Sequence, residues 1–198
     1  MTTANKLTIL RVLLIPFFVG ATICYVRSGN EDYRLAAILC FAVAAICDGV
    51  DGYIARRYNQ VSELGKVLDP LADKLLLVSG IVLLSFNNTP YFARIPFWLT
   101  MTIIGRDVLI VIGVVLIHFI VGKVKVRPRL TGKIATVFQM VAVTWILLRW
   151  DTLFHGRLLE VWILGAGIFT ALSGLFYIWD AVTQLGAHPS SSPEKQNS

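Results

Sequence analysis

Residues 35–73 read LAAILCFAVAAICDGVDGYIARRYNQVSELGKVLDPLAD, an apolar run that ends in two aspartates and is followed by two more. Only thirteen residues, beginning at Leu35, precede Asp48 in this run. As a helix they would extend roughly 20 Å, at about 1.5 Å per residue. The hydrocarbon core of a bilayer is roughly 30 Å thick. We therefore expect Asp48 and Asp51 to lie inside a membrane, within about a third of its thickness from one surface.

The composition of the whole chain agrees with a membrane location. Of its 198 residues, 56% are hydrophobic and 15% charged, and the mean hydropathy is +0.71. Soluble domains usually carry about a quarter charged residues. These values exclude a disordered chain, a disulfide scaffold and an ordinary cytosolic enzyme, and they indicate an integral membrane protein.

The apolar residues form six segments, each close to the roughly 20 residues that a spanning helix needs. The fold class expected is therefore all-α integral membrane, a six-transmembrane-helix bundle that occupies residues 1–185. Residues 186–198 are rich in Ser and Pro and are expected to form a disordered cytoplasmic tail. The six segments are Leu7–Val26, Leu35–Ala55, Leu71–Phe86, Phe97–Val121, Ile134–Trp150 and Leu158–Val182.

The distribution of lysine and arginine predicts the orientation. With the N-terminus inside, twelve of these residues fall in inner segments and five in outer segments, while Arg106 lies within a helix. This excess places both termini in the cytoplasm. We expect a multi-pass protein of the cell inner (cytoplasmic) membrane, with the aspartates facing the cytoplasm. No soluble module is expected that could present the basic residues to nucleic acid.

The four aspartates are the unusual feature of the second and third segments. An ionised aspartate in a bilayer costs about 2.5–3.5 kcal/mol even on the lenient insertion scale, so these residues demand a compensating cation. Asp48 and Asp51 have i,i+3 spacing, while Asp69 and Asp73 have i,i+4 spacing, so each pair shares a helix face. Carboxylates without His or Cys suit Mg²⁺ or Mn²⁺. The expected site holds one or two such ions.

Some residues of this region could instead serve the structure of the helices alone. Asp69 could cap a helix that begins at Pro70. Gly52 and Gly65 could serve close helix packing in lipid, or they could leave room for a phosphate or a nucleotide. Arg56, one turn after Gly52, is placed to neutralise a phosphate at the membrane surface.

The same residues carry a family resemblance. The pattern D-x2-D-G-x2-A-R-x8-G-x3-D-x3-D extends from Asp48 to Asp73 with every spacing met, and it resembles the signature of the CDP-alcohol phosphotransferases. The segment Asn5–Arg11 is similar to the N-x-x-T-x-x-R opening of the first helix in that family. Ile104–Asp107 and Gly132–Ile134 resemble acceptor-side segments of its bacterial phosphatidylglycerophosphate synthases.

The resemblance implies an activity and a set of residue roles. The enzyme would transfer the phosphatidyl group of CDP-diacylglycerol to an acceptor alcohol and release CMP. Asp73 would be the general base. Six helices would form the core of each chain, and two chains could form a homodimer. Two divalent cations would be held by Asp48, Asp51, Asp69 and Asp73, and the CDP-lipid would be bound by Asn5, Thr8, Gly52, Arg56, Ser62 and Gly65.

The acceptor is less clearly indicated. Arg106 together with Lys133 and Arg129 could bind the phosphate of glycerol 3-phosphate, which fits best. Alternatively, the basic residues before the fifth segment serve orientation alone, and Arg106 pairs with an acid such as Asp48. Asp107 is not expected to pair with Arg106, because neighbours on a helix point apart. The segment around Arg106 also resembles cardiolipin synthases, whose acceptor is phosphatidylglycerol.

A function of another class is a cation or proton transporter, since intramembrane acids also mark ion pathways. A transporter needs polar residues through both halves of the bilayer. Here the outer halves of most apolar segments lack them. The sequence therefore favours the enzyme.

Overall fold

The computed structural model describes residues 3–58, 63–121, 130–153 and 157–186, and in these ranges the secondary structure is helical with no strand. Six helices are long, between 18 and 30 residues, and one has four residues. The helices are α1 Thr3–Ser28, α2 Glu31–Tyr58, α3 Glu63–Ser85, α4 Phe97–Val121, α5 Leu130–Leu147, α6 Trp150–Leu153 and α7 Arg157–Gly186.

Each of the six apolar segments overlaps one long helix, but α3 begins eight residues before Leu71 and α5 ends three residues before Trp150. The short α6 was not predicted, and the count of six membrane-spanning helices stays a prediction. The suggestion that Asp69 caps a helix starting at Pro70 is wrong. α3 begins at Glu63, so both residues lie inside the helix. The predicted tail falls almost entirely outside the described residues, because α7 continues to Gly186.

Three helical segments in the described ranges are long and apolar enough to cross a membrane. They are Ile9–Ser28 in α1, Leu130–Leu147 in α5 and Arg157–Asp180 in α7. A shorter apolar stretch covers Lys74–Ser85 in α3. The structure therefore confirms an all-helical protein with several candidate membrane spans, as the composition predicted.

The turn between α1 and α2 is fixed by local backbone chemistry. Gly29 has a φ of 69°, and its N–H donates to the carbonyl of Tyr25 at 2.8 Å, which closes the C-terminus of α1. The Asn30 side chain accepts from the N–H of Asp32 at 3.0 Å and caps the start of α2. A Cβ at Gly29 would lie 2.8 Å from the Tyr91 hydroxyl oxygen, so any other residue would also have to displace the Tyr91 side chain.

α1 packs one face against both α2 and α3. Its large buried side chains recur every seven residues, at Arg11, Phe18 and Tyr25. The ring of Phe18 lies 5.6 Å from that of Phe41 on α2, and a Cβ built on Gly80 of α3 would lie 3.6 Å from the Phe18 ring. Phe18 therefore marks a common level of the three helices.

An ionic cluster joins the helices at the end where α1 meets α2. Glu31 accepts a hydrogen bond from the Tyr25 hydroxyl at 3.2 Å and forms ion pairs with Arg34 and Arg149. Desolvation opposes ionisation of Glu31, but hydrogen bonds from Arg34 and Tyr25 and the charges of both arginines hold its pKa below the usual value. The motif aspartates lie at the other end of these helices.

α7 packs against α4 and α5 through glycines. The ring of Phe138 on α5 lies 5.2 Å from Trp162 and 5.4 Å from Phe169, both on α7. A Cβ at Gly165 would lie only 2.4 Å from the Phe138 ring. The close approach of α5 and α7 therefore depends on the absence of a side chain at this position.

We predict that Gly165→Ala destabilises the protein by about 1–3 kcal/mol, because the added methyl group overpacks a ring already held between two aromatic side chains. Thermal unfolding in detergent measures the effect. Gly20→Ala is the matched control, since a Cβ at Gly20 meets nothing within 4 Å. Equal melting temperatures for the two variants would contradict this account of the α5–α7 contact.

Candidate functional site

The four motif aspartates occupy helix positions at one end of the α1–α3 unit. Asp48 and Asp51 are on α2, and Asp69 and Asp73 are on α3. Their side chains, which carry the predicted cation site, lie outside the described residues. The backbone and the contacts of Phe18 nevertheless fix their level along the helices.

The level follows from counting seven residues away from the Phe18 contacts. α2 runs antiparallel to α1, so the position seven residues after Phe41 is Asp48. α3 runs parallel to α1, so the position seven residues before Gly80 is Asp73. Both aspartates therefore lie seven residues from the level of Phe18, towards the N-terminus of α1. Asp51 and Asp69 are ten and eleven positions away by the same count. At about 1.5 Å per residue, the four positions fall within roughly 6 Å along the helix axes.

The predicted CDP-lipid residues are spread over the same three helices. Asn5 and Thr8 are on the first turns of α1, and Thr8 is ten positions before Phe18, level with Asp51. Gly52 and Arg56 on α2 and Gly65 on α3 flank the aspartates in sequence, again with side chains outside the described set. Ser62 and Arg129 lie outside the described residues altogether.

Arg106 on α4 is a buried cation, only 8% exposed. Its Nη2 donates to the Ser173 hydroxyl on α7 at 3.1 Å. Its Nε is buried and has no hydrogen-bond partner among the residues that the structure describes. A Cβ at Gly132 of α5 would lie 2.7 Å from Nη2, so this glycine makes room for the guanidinium. The Arg106 Nε is therefore a buried hydrogen-bond donor that a ligand could use.

The expectation that Asp107 would not pair with Arg106 is wrong. Arg106 Nη1 lies 3.1 Å from Asp107 Oδ1, because the long arginine side chain can turn back towards its neighbour although the two Cα–Cβ bonds diverge. Asp107 also forms an ion pair with Lys74 of α3. This carboxylate thus joins two cations from different helices.

A cavity of about 120 Å³ lies between α3, α4 and α5. Its polar lining comprises Arg106, Asp107, Lys74, Thr136 and Gln139, and the rest is apolar. Lys74 directly follows Asp73 in sequence. The cavity therefore opens beside the level of the motif aspartates and has two cations and one anion in its wall.

Sequence reasoning missed several of these polar residues. Lys74 was counted only as positive charge, although its position next to Asp73 was a signal. Ser173 and Thr170, both buried on α7, have i,i+3 spacing in an apolar helix, which marks a polar stripe on one face. Thr170 accepts a hydrogen bond from Gln139 of α5 at 2.9 Å. Lys133 by contrast is exposed and does not line this cavity.

The described side chains contain no group of three or more His, Cys, Asp or Glu residues that could hold a metal ion. The four motif aspartates, whose side chains were not part of that set, stay the predicted ligands of a cation. Their donor chemistry, carboxylate oxygen alone at one level of two adjacent helices, fits Mg²⁺ or Mn²⁺.

Comparisons with known proteins agree with one another. A family model described as CDP-alcohol phosphatidyltransferase matches residues 1–173. A Bacillus subtilis protein named CDP-diacylglycerol--glycerol-3-phosphate 3-phosphatidyltransferase is 35% identical over 193 residues, which covers 90% of this chain and 95% of the relative. An Escherichia coli K12 protein of the same name is 32% identical over 182 residues, 91% of each chain.

We predict that Ser173→Ala destabilises the protein by about 1–3 kcal/mol, because it removes the acceptor of a buried, charged donor. Unfolding of the purified protein in detergent measures the change. Thr183→Ala on the same helix is the control, since Thr183 is exposed and its hydroxyl donates to backbone carbonyls of its own helix. A Ser173→Ala variant as stable as this control would contradict the role assigned to the Arg106–Ser173 hydrogen bond.

Proposed function

The chain belongs to the CDP-alcohol phosphatidyltransferase family, and we propose that it transfers the phosphatidyl group of CDP-diacylglycerol to glycerol 3-phosphate. The products are phosphatidylglycerophosphate and CMP. The relatives that match over most of their length carry the name of this enzyme. The observation that carries the proposal is the eight-position motif, whose four aspartates fall at one level of α2 and α3.

We propose that the six long helices form a transmembrane bundle in the inner membrane with both termini in the cytoplasm. The excess of lysine and arginine in the inner segments supports this orientation. It places the motif aspartates near the cytoplasmic surface, where both a water-soluble acceptor and the headgroup of a lipid donor have access. Homodimerisation is an expectation from the family resemblance.

In the proposed site Asp48, Asp51, Asp69 and Asp73 would hold two divalent cations, Mg²⁺ or Mn²⁺. Bound there, such cations supply neutralisation of the charge that develops on the departing CMP. The remaining contacts to the donor come from Asn5, Thr8, Gly52, Arg56, Ser62 and Gly65. The small residues let the nucleotide approach the backbone, and the Arg56 guanidinium suits a phosphate.

Asp73 is the proposed general base. A hydroxyl group is a poor nucleophile at neutral pH, so a carboxylate must take its proton as the oxygen attacks. The new bond joins the acceptor oxygen to the β-phosphorus, which already carries the diacylglycerol. The bond from this phosphorus to the bridging oxygen breaks, and that oxygen leaves with CMP.

The acceptor phosphate is assigned to the cavity beside Asp73. Arg106 lines it with a buried Nε that has no hydrogen-bond partner among the described residues, and Lys74 adds a second cation. A phosphate dianion would compete with Asp107 for both. Lys133 and Arg129, at the start of α5 and just before it, remain candidates for the path by which the acceptor enters.

The function is tested with purified protein in detergent, CDP-diacylglycerol, Mg²⁺ and one acceptor at a time. Glycerol 3-phosphate should yield CMP and a lipid with the mass of phosphatidylglycerophosphate. Turnover with phosphatidylglycerol alone would identify a cardiolipin synthase instead. No CMP release with any of four acceptors would contradict the transferase and favour the ion transporter. The four acceptors are glycerol 3-phosphate, phosphatidylglycerol, inositol phosphate and serine.

Asp73→Asn should lower kcat by at least about a hundredfold, within the range typical of a lost general base, and should largely spare binding of CDP-diacylglycerol. Single-turnover CMP release and equilibrium binding of the donor separate the two effects. Asp32→Asn is the control, because Asp32 is exposed in the first turn of α2, far from the motif. Near wild-type turnover by Asp73→Asn would refute the base assignment.

Gly132→Ala should raise the KM for glycerol 3-phosphate by about tenfold, which corresponds to about 1.4 kcal/mol of lost binding. The added methyl group would displace the Arg106 guanidinium, whose Nη2 lies 2.7 Å from that Cβ position. Gly105→Ala tests the same chemical change next to Arg106 where a Cβ meets nothing within 4 Å. If both variants keep the wild-type KM, Arg106 does not bind the acceptor.

A further inference from the structure

Arg11 is a fully buried cation on the same face of α1 as Phe18 and Tyr25. It lies on α1, seven residues before Phe18 and fourteen before Tyr25, and all three side chains are 0% exposed. A guanidinium removed from water in a membrane-embedded helix is costly unless an anion or other polar group compensates it. The sequence indicated only a basic residue near the cytoplasmic surface, which would need no burial.

The register identifies the acids that lie level with Arg11. Seven positions from the Phe18 contacts bring Arg11 to the same level as Asp48 on α2 and Asp73 on α3. Glu31 and Asp32, the other acids of α2, are at least sixteen residues from Asp48, or roughly 24 Å along the helix.

Two acids outside the motif are paired with cations other than Arg11. Glu31 is engaged by Arg34 and Arg149 at the far end of the helices. Asp107 is engaged by Lys74 and Arg106. Glu63, the other acid of α3 outside the motif, precedes Asp73 by ten residues, or roughly 15 Å along the helix. On α2 and α3, the motif aspartates are therefore the anions placed to compensate the Arg11 charge.

We propose that Arg11 is a positioning residue whose guanidinium gives the motif aspartates of α2 and α3 a permanent buried countercharge. The inference rests on the proposed function of those aspartates as the cation site and deepens it. Because Arg11 has no exposed surface, it does not touch the lipid donor or the acceptor. It acts through the carboxylates, which it keeps close together before any divalent cation binds.

The first test is a double-mutant cycle on thermal unfolding in detergent with EDTA, without substrate. In the wild-type background, Asp48→Asn or Asp73→Asn leaves Arg11 under-compensated and lowers the melting temperature. In the Arg11→Met background the same change removes an uncompensated negative charge instead. We expect the loss in melting temperature to fall by at least half, or to reverse, for one or both aspartates.

Matched variants control for the loss of charge as such. Arg27→Met removes an exposed cation from the opposite end of α1 and should leave the effect of each Asp→Asn change as in wild type. Asp107→Asn should be additive with Arg11→Met, since Asp107 pairs with other cations. If Arg11→Met does not fold, Arg11→Gln replaces it, and Arg11→Lys, which keeps the charge, should behave as wild type in the cycle.

The second test separates positioning from general packing. Arg11→Met should lower kcat by about a hundredfold with the KM for CDP-diacylglycerol within about threefold, and Arg11→Lys should recover most of the rate. Without Arg11 the aspartates repel one another more strongly, so Mg²⁺ should raise the melting temperature of Arg11→Met more than that of wild type.

The outcomes distinguish this inference from the proposed function. Additivity of Arg11→Met with both Asp48→Asn and Asp73→Asn, or an unchanged Mg²⁺ shift, would overturn the positioning role. Those measurements need no turnover. If CMP release fails while the coupling is present, the pairing stands and the assigned reaction is wrong.

Discussion

Ionised side chains have to be compensated wherever water is excluded, and the protein is arranged around that constraint. An uncompensated charge in a bilayer costs about 2.5–3.5 kcal/mol or more. Charge is concentrated at two places: buried Arg11 is level with the helix positions of the motif aspartates, and buried Arg106 is paired with Asp107, which also pairs with the exposed Lys74. Around both, the core is made of apolar side chains.

The two charged regions meet on α3. Asp73 lies at the level of Arg11, and the next residue, Lys74, lines the cavity that contains Arg106. A helix exposes neighbouring residues on different sides, so α3 could contribute Asp73 to the proposed donor site and Lys74 to the proposed acceptor site. On that proposal the base would lie between the two substrates, as a direct transfer between them requires.

The helical architecture could be predicted, because it depends on the length of the apolar segments, which the sequence contains. The length of the apolar segments predicted a chain of long apolar helices, and three helical segments in the described ranges are long and apolar enough to cross a membrane. That each pair of aspartates shares a helix face stays a prediction from their spacing. The start of α3 was mispredicted, since Pro70 was interpreted as the first residue of a helix that begins seven residues earlier. Local capping preferences were overridden by continuation of the helix.

The remaining features depend on contacts between helices. No pattern in the sequence says that Arg11 is buried, that Arg106 turns back to Asp107, or that Ser173 reaches Arg106 from α7. The space for Arg106 depends on Gly132, a residue of yet another helix. Such side-chain choices are set by packing partners far away in the chain.

The central claim is that a cluster of carboxylates in the membrane works as a divalent-cation site for phosphatidyl transfer. It is tested most directly by CMP release from CDP-diacylglycerol and glycerol 3-phosphate after removal of metal with EDTA. The account predicts no release by the stripped protein and full recovery when Mg²⁺ or Mn²⁺ is restored, with Asp48→Asn and Asp69→Asn requiring more metal than wild type. Release that continues undiminished in EDTA would contradict it.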